Sequence, residues 1–594
     1  MTVVAQKPIS AWKDEPLERA ILDEVSLDTA WPVLEAFSSL VRLSGSAQER
    51  EAFDLLAHHL AAWGVPYTLH EPELFISIPL TATVRDPASG TSFRAKTSAM
   101  SRPTNGEIEA GLVYLPAATD ADLDDVVSGA VQLSDLDVTG KIVITEGMPF
   151  PGIVTAVTDA GALAGIFIAP GIDIHETICT TVWGTPDLDS EQHIPTLPVV
   201  AVNNPDGLRL IDLAKQGGAV AISSEVDTGW RTIPILVAEI PGAVVPDEFV
   251  LLHGHADSWH AGVGDNATGN VTKLELARVL WQNRADLARS VRIAWWSGHS
   301  HGRYAGSTWY ADQIGIDLAL NCVAQINCDS PGCRWADTFN DLTCMSEAEP
   351  FVDTTIRDIT GITPATERPV RAGDYSFNQI GITSYLMLSS TMSETKREEL
   401  GYYRVGGCGG NIAWHTEHDT LDIADRDNLL RDMRLYAAIV LRTANAPLHP
   451  FDWRRTTADM ERTINDYQEA AGEAFDFAAT RAALASLDLA LTDFYQDASD
   501  KTDPSAPEAR TFNKIQRRLA RLLVPVNYSR MAPFWHDPAL HVPALPDLAP
   551  ALTAATLANE PDRAGILRAH LTRGQNRLVW TLIEACDLVT GTLA

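Results

Sequence analysis

Short apolar runs alternate with stretches of helical period over residues 231–450. FVLLHGH (249–255), VRIAWWSG (291–298) and VAQINCDS (323–330) each read as a buried strand. After Gly269, Val271, Leu274, Leu276, Ala277, Val279 and Leu280 recur at the spacing of a helix face. This alternation predicts an α/β domain, a mostly parallel sheet with helices on its faces. In such sheets ligands sit at the carboxyl ends of the strands. Here those ends are the polar ones: His253, His255 and Asp257 follow the first run, and a Gly-rich loop then delivers Asp265.

The flanks read differently. Residues 15–65 predict two helices. Leu27, Trp31, Leu34, Phe37 and Val41 fall at helical spacing, and Ser46 with Glu49 forms a capping box for EAFDLLAHHLAAWG, which Gly64 ends. The strand-like runs YTLHEPELFISI and LTATVRDP follow. His58-His59 is read as a surface or packing feature. From 86 to 230, Gly, Ala, Val, Asp and Pro dominate, with short runs such as VTGKIVITEG, GIVTAVTDAGALAGIFIAP and IPTLPVVAV. From 451 to 594 the patterns are long and helical, interrupted by the polar loop DASDKTDPSAPEA. The expected organisation is 1–85 plus 231–450, an insertion at 86–230, and a helical bundle at 451–594.

Charge narrows the partners. A formal net charge of −33 over 594 residues disfavours nucleic acid and anionic membrane. No run of 18 apolar residues occurs, so no membrane span is expected. The N-terminal MTVVAQKPISAWKDEPLERAIL lacks the basic and apolar segments of a signal peptide. Seven cysteines, an odd and sparse set, fit a reduced cytoplasmic compartment. Cys322, Cys328 and Cys333 match no zinc spacing and are expected to be small buried residues.

Four clusters carry the chemistry: HGHADSWH (253–260) with GDNATG (264–269), WWSGHSHGRYAGS (295–307), NCDSPG (327–332) and WHTEHDT (414–420). Imidazoles and carboxylates together suit a borderline divalent cation such as zinc. Order and spacing resemble the co-catalytic zinc aminopeptidase family that includes glutamate carboxypeptidase and the transferrin receptor. Its pattern is H-x-D-S, G-x-x-D-N-x-S/T-G, a Glu-Glu pair before G-L-x-G-S, N-x-D, and a late histidine before x-x-x-D/E-T. The stretch 86–230 resembles a protease-associated domain, and the C-terminal helices resemble the family's dimerisation domain, which implies a homodimer.

The resemblance implies roles. His255 would bind one metal ion, Asp265 would bridge two, Asp329 would complete the first site and His415 would bind the second. Asp257 would orient His255 from behind. It also implies a cis peptide after the bridging aspartate, at Asp265-Asn266.

One departure stands out. Where the family has Glu-Glu, this chain has His299-Ser300, or Ser300-His301 counted back from Gly306. The first Glu is the family's base and the second a metal ligand. Two readings follow. In one, His299 enters the metal site as ligand or base, with His301, His260 or His418 sharing proton transfer. In the other, the chemistry is lost and a binding protein remains. Seven of the sixteen histidines lie in these clusters, which favours an enzyme. The expected function is hydrolysis of an amide or peptide-like bond of a small substrate through a metal-bound water, with one or two ions of zinc, or of manganese or iron. Lyase or other non-peptide chemistry is the alternative. Arg371, Tyr375, Trp414 and Tyr304 are the candidate substrate contacts, and Trp259 and Arg303 lie near them in sequence. Trp414 stands where the family carries an oxyanion-binding Tyr. Trp295-Trp296 is expected to be core.

Overall fold

The computed structural model of the chain describes residues 12, 14–116, 137–498 and 501–593. Residues 1–11 and 13 of the N-terminal stretch read above for a leader, and two residues of the 497–509 loop, lie outside these.

Among the described residues, fifteen strands follow in chain order. They are β1 (Tyr67–His70), β2 (Glu73–Arg85), β3 (Ser92–Thr97), β4 (Ile108–Tyr114), β5 (Ile142–Glu146), β6 (Ala164–Ile168), β7 (Val199–Val202), β8 (Ala219–Thr232), β9 (Ile235–Ile240), β10 (Val245–His255), β11 (Arg289–Trp296), β12 (Cys322–Asn327), β13 (Leu342–Thr343), β14 (Thr366–Glu367) and β15 (Ser384–Tyr385). The central six-stranded sheet has the order β1-β9-β11-β10-β12-β15. β11, β10, β12 and β15 run parallel, and β9 and β1 form an antiparallel edge. β10 is the middle strand. His255 pairs in register with Trp296 of β11, and His253 with Asn327 of β12.

The apolar runs are strands because both faces of the sheet are covered. Leu252, Val250, Ile293 and Ile326 pack on one side with the helix Thr268–Gln282, while Phe249, Leu251, Ala294 and Trp296 pack on the other with Ala311 and Leu318. Trp295 and Trp296 are wholly buried, as expected. His253 is a satisfied core residue. Its ring takes the indole N–H of Trp296 at 3.0 Å and meets Gln325 at 2.7 Å.

The inserted unit is a closed barrel, β2-β3-β7-β6-β5-β4-β8. It starts earlier than the composition shift at 86 indicates. β2 pairs along its length with β8, so residues from Glu73 onward belong to the barrel. Hydrophobicity does not change at that point, because β2 contributes to both units: Leu74 and Ile76 pack beside the central sheet, and Val84 in the barrel core.

Beyond 450 the chain is helical, with long helices at Trp453–Ala471, Ala478–Gln496, Pro507–Tyr528 and Pro561–Leu593. They share one core cluster with the sheet and its helices. Among the described residues no helix is long and apolar enough to cross a membrane. All seven cysteines are unpaired, and Cys322, Cys328 and Cys333 are buried.

One buried cation ties the first helices to the loop after β10. Arg42 is wholly buried, and its guanidinium donates to the carbonyls of Ala256 (2.8 Å), Ala261 (2.8 Å) and Gly262 (2.9 Å). Burial lowers its pKa to about 10, so it stays charged at neutral pH. Removing it leaves buried carbonyls without donors. Arg42→Met is expected to cost about 3 kcal/mol, read as a lower midpoint of the first unfolding transition. A midpoint equal to wild type would show that this loop holds itself.

Candidate metal centre

Three parallel strands end side by side, and each hands one side chain to the same point. His255 closes β10, His299 follows β11 and Asp329 follows β12. Each offers a ligand atom within 4.8 Å of the other two. Gly298, at φ 76°, makes the turn from β11 into residues 299–302. A side chain disfavours that conformation.

Asp265 arrives on the loop after β10, and its peptide bond to Asn266 is cis. Its carboxylate is the centre of the arrangement. Oδ1 lies 2.8 Å from His255 Nε2, and Oδ2 lies 3.0 Å from His415 Nε2. Each imidazole has its far nitrogen on a main-chain carbonyl: His255 Nδ1 on Asp257 at 2.9 Å and His415 Nδ1 on Glu176 at 2.8 Å. Those bonds fix the tautomer and leave both Nε2 lone pairs toward Asp265. His255 Nε2 is buried and outside hydrogen-bond geometry with any partner, despite its short distance to Asp265. Asp329 Oδ2 lies 3.5 Å from the same nitrogen. An orphaned buried nitrogen among carboxylate oxygens is what a cation would satisfy, and two imidazoles with two carboxylates are a donor set for zinc. The residues fit a divalent ion. Burial pushes the Asp265 carboxyl up, but its neighbours His255 and His415 outweigh this and hold it well below the usual range.

The loop bearing Asp265 is clamped by Asp419, whose oxygens accept from the N–H groups of Gly264 (2.7 Å) and Asp265 (3.0 Å). Asp419 is the carboxylate of the HDT run, quoted in the motif but not taken as a site residue.

His299 reaches the cavity through a relay. Its Nδ1 meets Asp374 Oδ2 at 3.0 Å, and Asp374 Oδ1 accepts from Ser307 Oγ at 2.8 Å. Asp374 is buried, which raises its carboxyl; the charge of His299 reverses this and leaves it below the ordinary range. With Nδ1 engaged, His299 has only Nε2 left to offer. The ring stacks on His255 with centroids 3.8 Å apart. Asp374 lies outside the four sequence clusters, and its pairing with His299 spans 75 residues.

The other predicted residues divide. Asp257 is wholly buried, and its carboxylate does not orient His255. It accepts from Ser44 Oγ (2.8 Å) and from the N–H groups of Ser300 (2.8 Å) and His299 (3.2 Å), so it shapes the turn under His299. The main-chain carbonyl of Asp257 holds the imidazole instead. His301 is wholly buried behind Asp257, 2.9 Å from Ser44 Oγ and against Trp259. It does not line the cavity. Neither do Arg371 and Tyr375: Arg371 donates to the carbonyls of Tyr375 (2.9 Å) and Asp537 (2.6 Å) over the Trp183 ring, and Tyr375 meets Thr343 at 3.1 Å. Both are internal struts, since neighbouring backbone saturates them. His260 pairs with Glu176, and His418 is exposed beside Asp173. Trp414 and Tyr304 do line the cavity, with Trp259, Arg303, Thr177 and Ile178. Trp414 stacks on His415 at 3.7 Å.

Known proteins resemble this part of the chain in sequence and fold. Residues 236–440 match the family model described as peptidase family M28. This stretch is similar to M28 peptidase domains. The chain is 24% identical over 302 residues to the mouse aminopeptidase NAALADL1, covering 43% of this chain and 37% of that protein. It is 24% identical over 266 residues to a probable glutamate carboxypeptidase VP8 of Zea mays, covering 41% of this chain and 35% of that protein. The matched stretch thus spans just over a third of either relative. The zinc aminopeptidase BSAP of Bacillus subtilis superposes with a TM-score of 0.51 at 18% identity, over 70% of this chain and 94% of that one. That likeness shows that this part of the chain shares the fold of that protein.

If Asp374 holds the His299 imidazole for metal binding, Asp374→Asn should weaken metal affinity by about 10–100-fold. Competition against a coloured chelator reads this directly. Wild-type affinity in the variant would remove Asp374 from the site.

Proposed function

We propose that the chain is a metal-dependent hydrolase that cleaves an amide or peptide-like bond of a small substrate, at a metal site in which an imidazole replaces a carboxylate. The carrying observation is the Asp265 carboxylate, with one oxygen facing His255 and the other facing His415. His255, Asp329 and Asp265 would hold one ion with His299 beside it, and Asp265 with His415 would hold a second where two are bound. A divalent ion there would polarise a carbonyl and lower the pKa of a water.

The chain's own residues supply the rest. Only Asp265 and Asp329 among the cavity-lining residues carry carboxylates. Both face the ligand imidazoles, so no carboxylate is left to accept a proton in the cavity. His299 is the candidate for that work. Asp374 keeps its Nδ1 engaged, so Nε2 is the nitrogen that accepts the proton or joins the donor set. The cavity encloses about 80 Å³; a water requires about 10–15 Å³ on this scale. It suits a small substrate or one side chain of a larger one. The missing third carboxylate also supports a second reading, a metal-dependent enzyme of non-hydrolytic class. Incorporation of labelled oxygen from water into product separates the two.

Homodimerisation is supported by apolar side chains on the last helices. Leu489 (70% exposed), Ile566 (69%) and Trp580 (62%) face outward.

Dialysis against a chelator is expected to abolish turnover of acyl-amino acids and small peptides, and zinc to restore it. His299→Ala is expected to lower kcat at least a hundredfold, the scale of a lost general base. Full activity without metal would sink the proposal. For the dimer, light scattering should give twice the chain mass for wild type and the monomer mass for Trp580→Glu. A monomeric wild type would refute it.

A further inference from the structure

We propose that Arg303 anchors the substrate in this cavity and that the substrate it selects carries a carboxylate. The inference rests on the reading of the cavity as a reaction site.

Arg303 follows the turn that presents His299. It is 3% exposed and lines the same cavity as Asp265, Asp329, His299 and His415. Its Nε and Nη2 are both buried without a hydrogen-bond partner. Arginine stays protonated in proteins and has five donors. Burying such a group unsatisfied is costly, so buried guanidinium groups are normally saturated. Arg42 and Arg371 follow that rule: main-chain carbonyls take their donors. In Arg371 only Nε is left over. In Arg303 the two leftover nitrogens are Nε and Nη2, whose N–H bonds point the same way. They form the side-on fork that grips a carboxylate with two parallel hydrogen bonds.

Nothing in the protein balances this charge from within the cavity. The carboxylates that line it are Asp265 and Asp329. Asp265 is held between His255 and His415, and Asp329 lies beside His255 and Ser330. The counter-ion must therefore come with the ligand. The guanidinium is also fixed in place. Its carbon lies 5.2 Å from the Tyr304 ring centroid, and its main-chain carbonyl accepts from Gly184 at 2.7 Å. Arg303 and Tyr304 both have positive φ, 48° and 69°, a conformation that persists only where surroundings impose it. An anion in this fork would lie in the same cavity as the Asp265 centre. An N-acyl amino acid or the last residue of a short peptide has this chemistry: a free carboxylate a few bonds from an amide carbonyl.

The test uses the metal-loaded protein and matched pairs of probes, N-acetylglycine with N-acetylglycinamide and N-benzoylglycine with its primary amide. Calorimetry measures binding to wild type, Arg303→Gln and Arg303→Lys, and metal content is measured on each sample. Wild type is expected to bind the carboxylates at least about tenfold more tightly than the amides. Arg303→Gln is expected to bring that ratio near one with metal content unchanged. Arg303→Lys, which keeps the charge and the stem but not the fork, is expected to retain an intermediate ratio and guards against misfolding of the first variant. A wild type without preference, or a preference kept in Arg303→Gln, overturns the proposal, since the metal or another cation would then hold the anion. A preference that depends on Arg303 in wild type that holds no metal keeps this proposal and discards the hydrolase reading.

Discussion

A carboxylate buried between two imidazoles is the constraint from which the rest of the site follows. Asp265 is only 7% exposed. A buried charge needs compensation, and with two Nε2 lone pairs facing Asp265 a cation between them would supply it. Its own backbone is clamped by Asp419, and the loop that carries it is strapped by Arg42 to the first helices. Its partners come from opposite ends of the domain, His255 from the central strand and His415 from 150 residues further on. Neither could be placed by local structure. The parallel sheet supplies the first and the long segment after β15 the second.

The same constraint explains how one change of residue type is absorbed. Where the resembling family carries paired glutamates, a carboxylate is still present, but one atom layer back. Asp374 stands behind His299, and the imidazole takes the position facing the ligand atoms. With the carboxylate behind the imidazole, less negative charge faces the cavity. A nitrogen donor there would leave more of a bound cation's charge uncompensated than a carboxylate would.

Much of this was legible in the sequence, for a physical reason. The strand ends, the Gly-rich loop and the metal-ligating types are local features, so His255, Asp265, Asp329, His299 and His415 could each be named from their immediate neighbours. Their roles were implied by order along the chain. What stayed hidden were long-range pairings. Asp374 reads as one more acidic residue in a loop until its 75-residue separation from His299 is closed. Arg371 looked available because sequence does not show that two carbonyls, one of them 166 residues away, consume its donors. The start of the barrel was misplaced for a similar reason: β2 serves two cores, so its pattern marks no boundary.

The barrel is part of the site rather than an appendage to it. The main chain of Glu176 exchanges two hydrogen bonds with His415, accepting from the ring Nδ1 at 2.8 Å and donating to the carbonyl at 2.8 Å. His175 holds the carbonyl of Trp414 at 2.6 Å, and Thr177 and Ile178 form one wall of the cavity. A histidine whose orientation is set by another domain's backbone is correctly placed only while that domain is docked. The Glu176 side chain reinforces the docking through Lys96 at 3.0 Å and His260 at 3.2 Å, linking strand, loop and barrel at the cavity rim. Any displacement of the barrel would therefore loosen one face of the Asp265 centre while leaving the His255 face, which hangs on the sheet and the loop after β10, in place. The two halves of the centre thus differ in rigidity by construction: the His255 half inherits the stiffness of three paired strands, and the His415 half the stability of an interdomain contact.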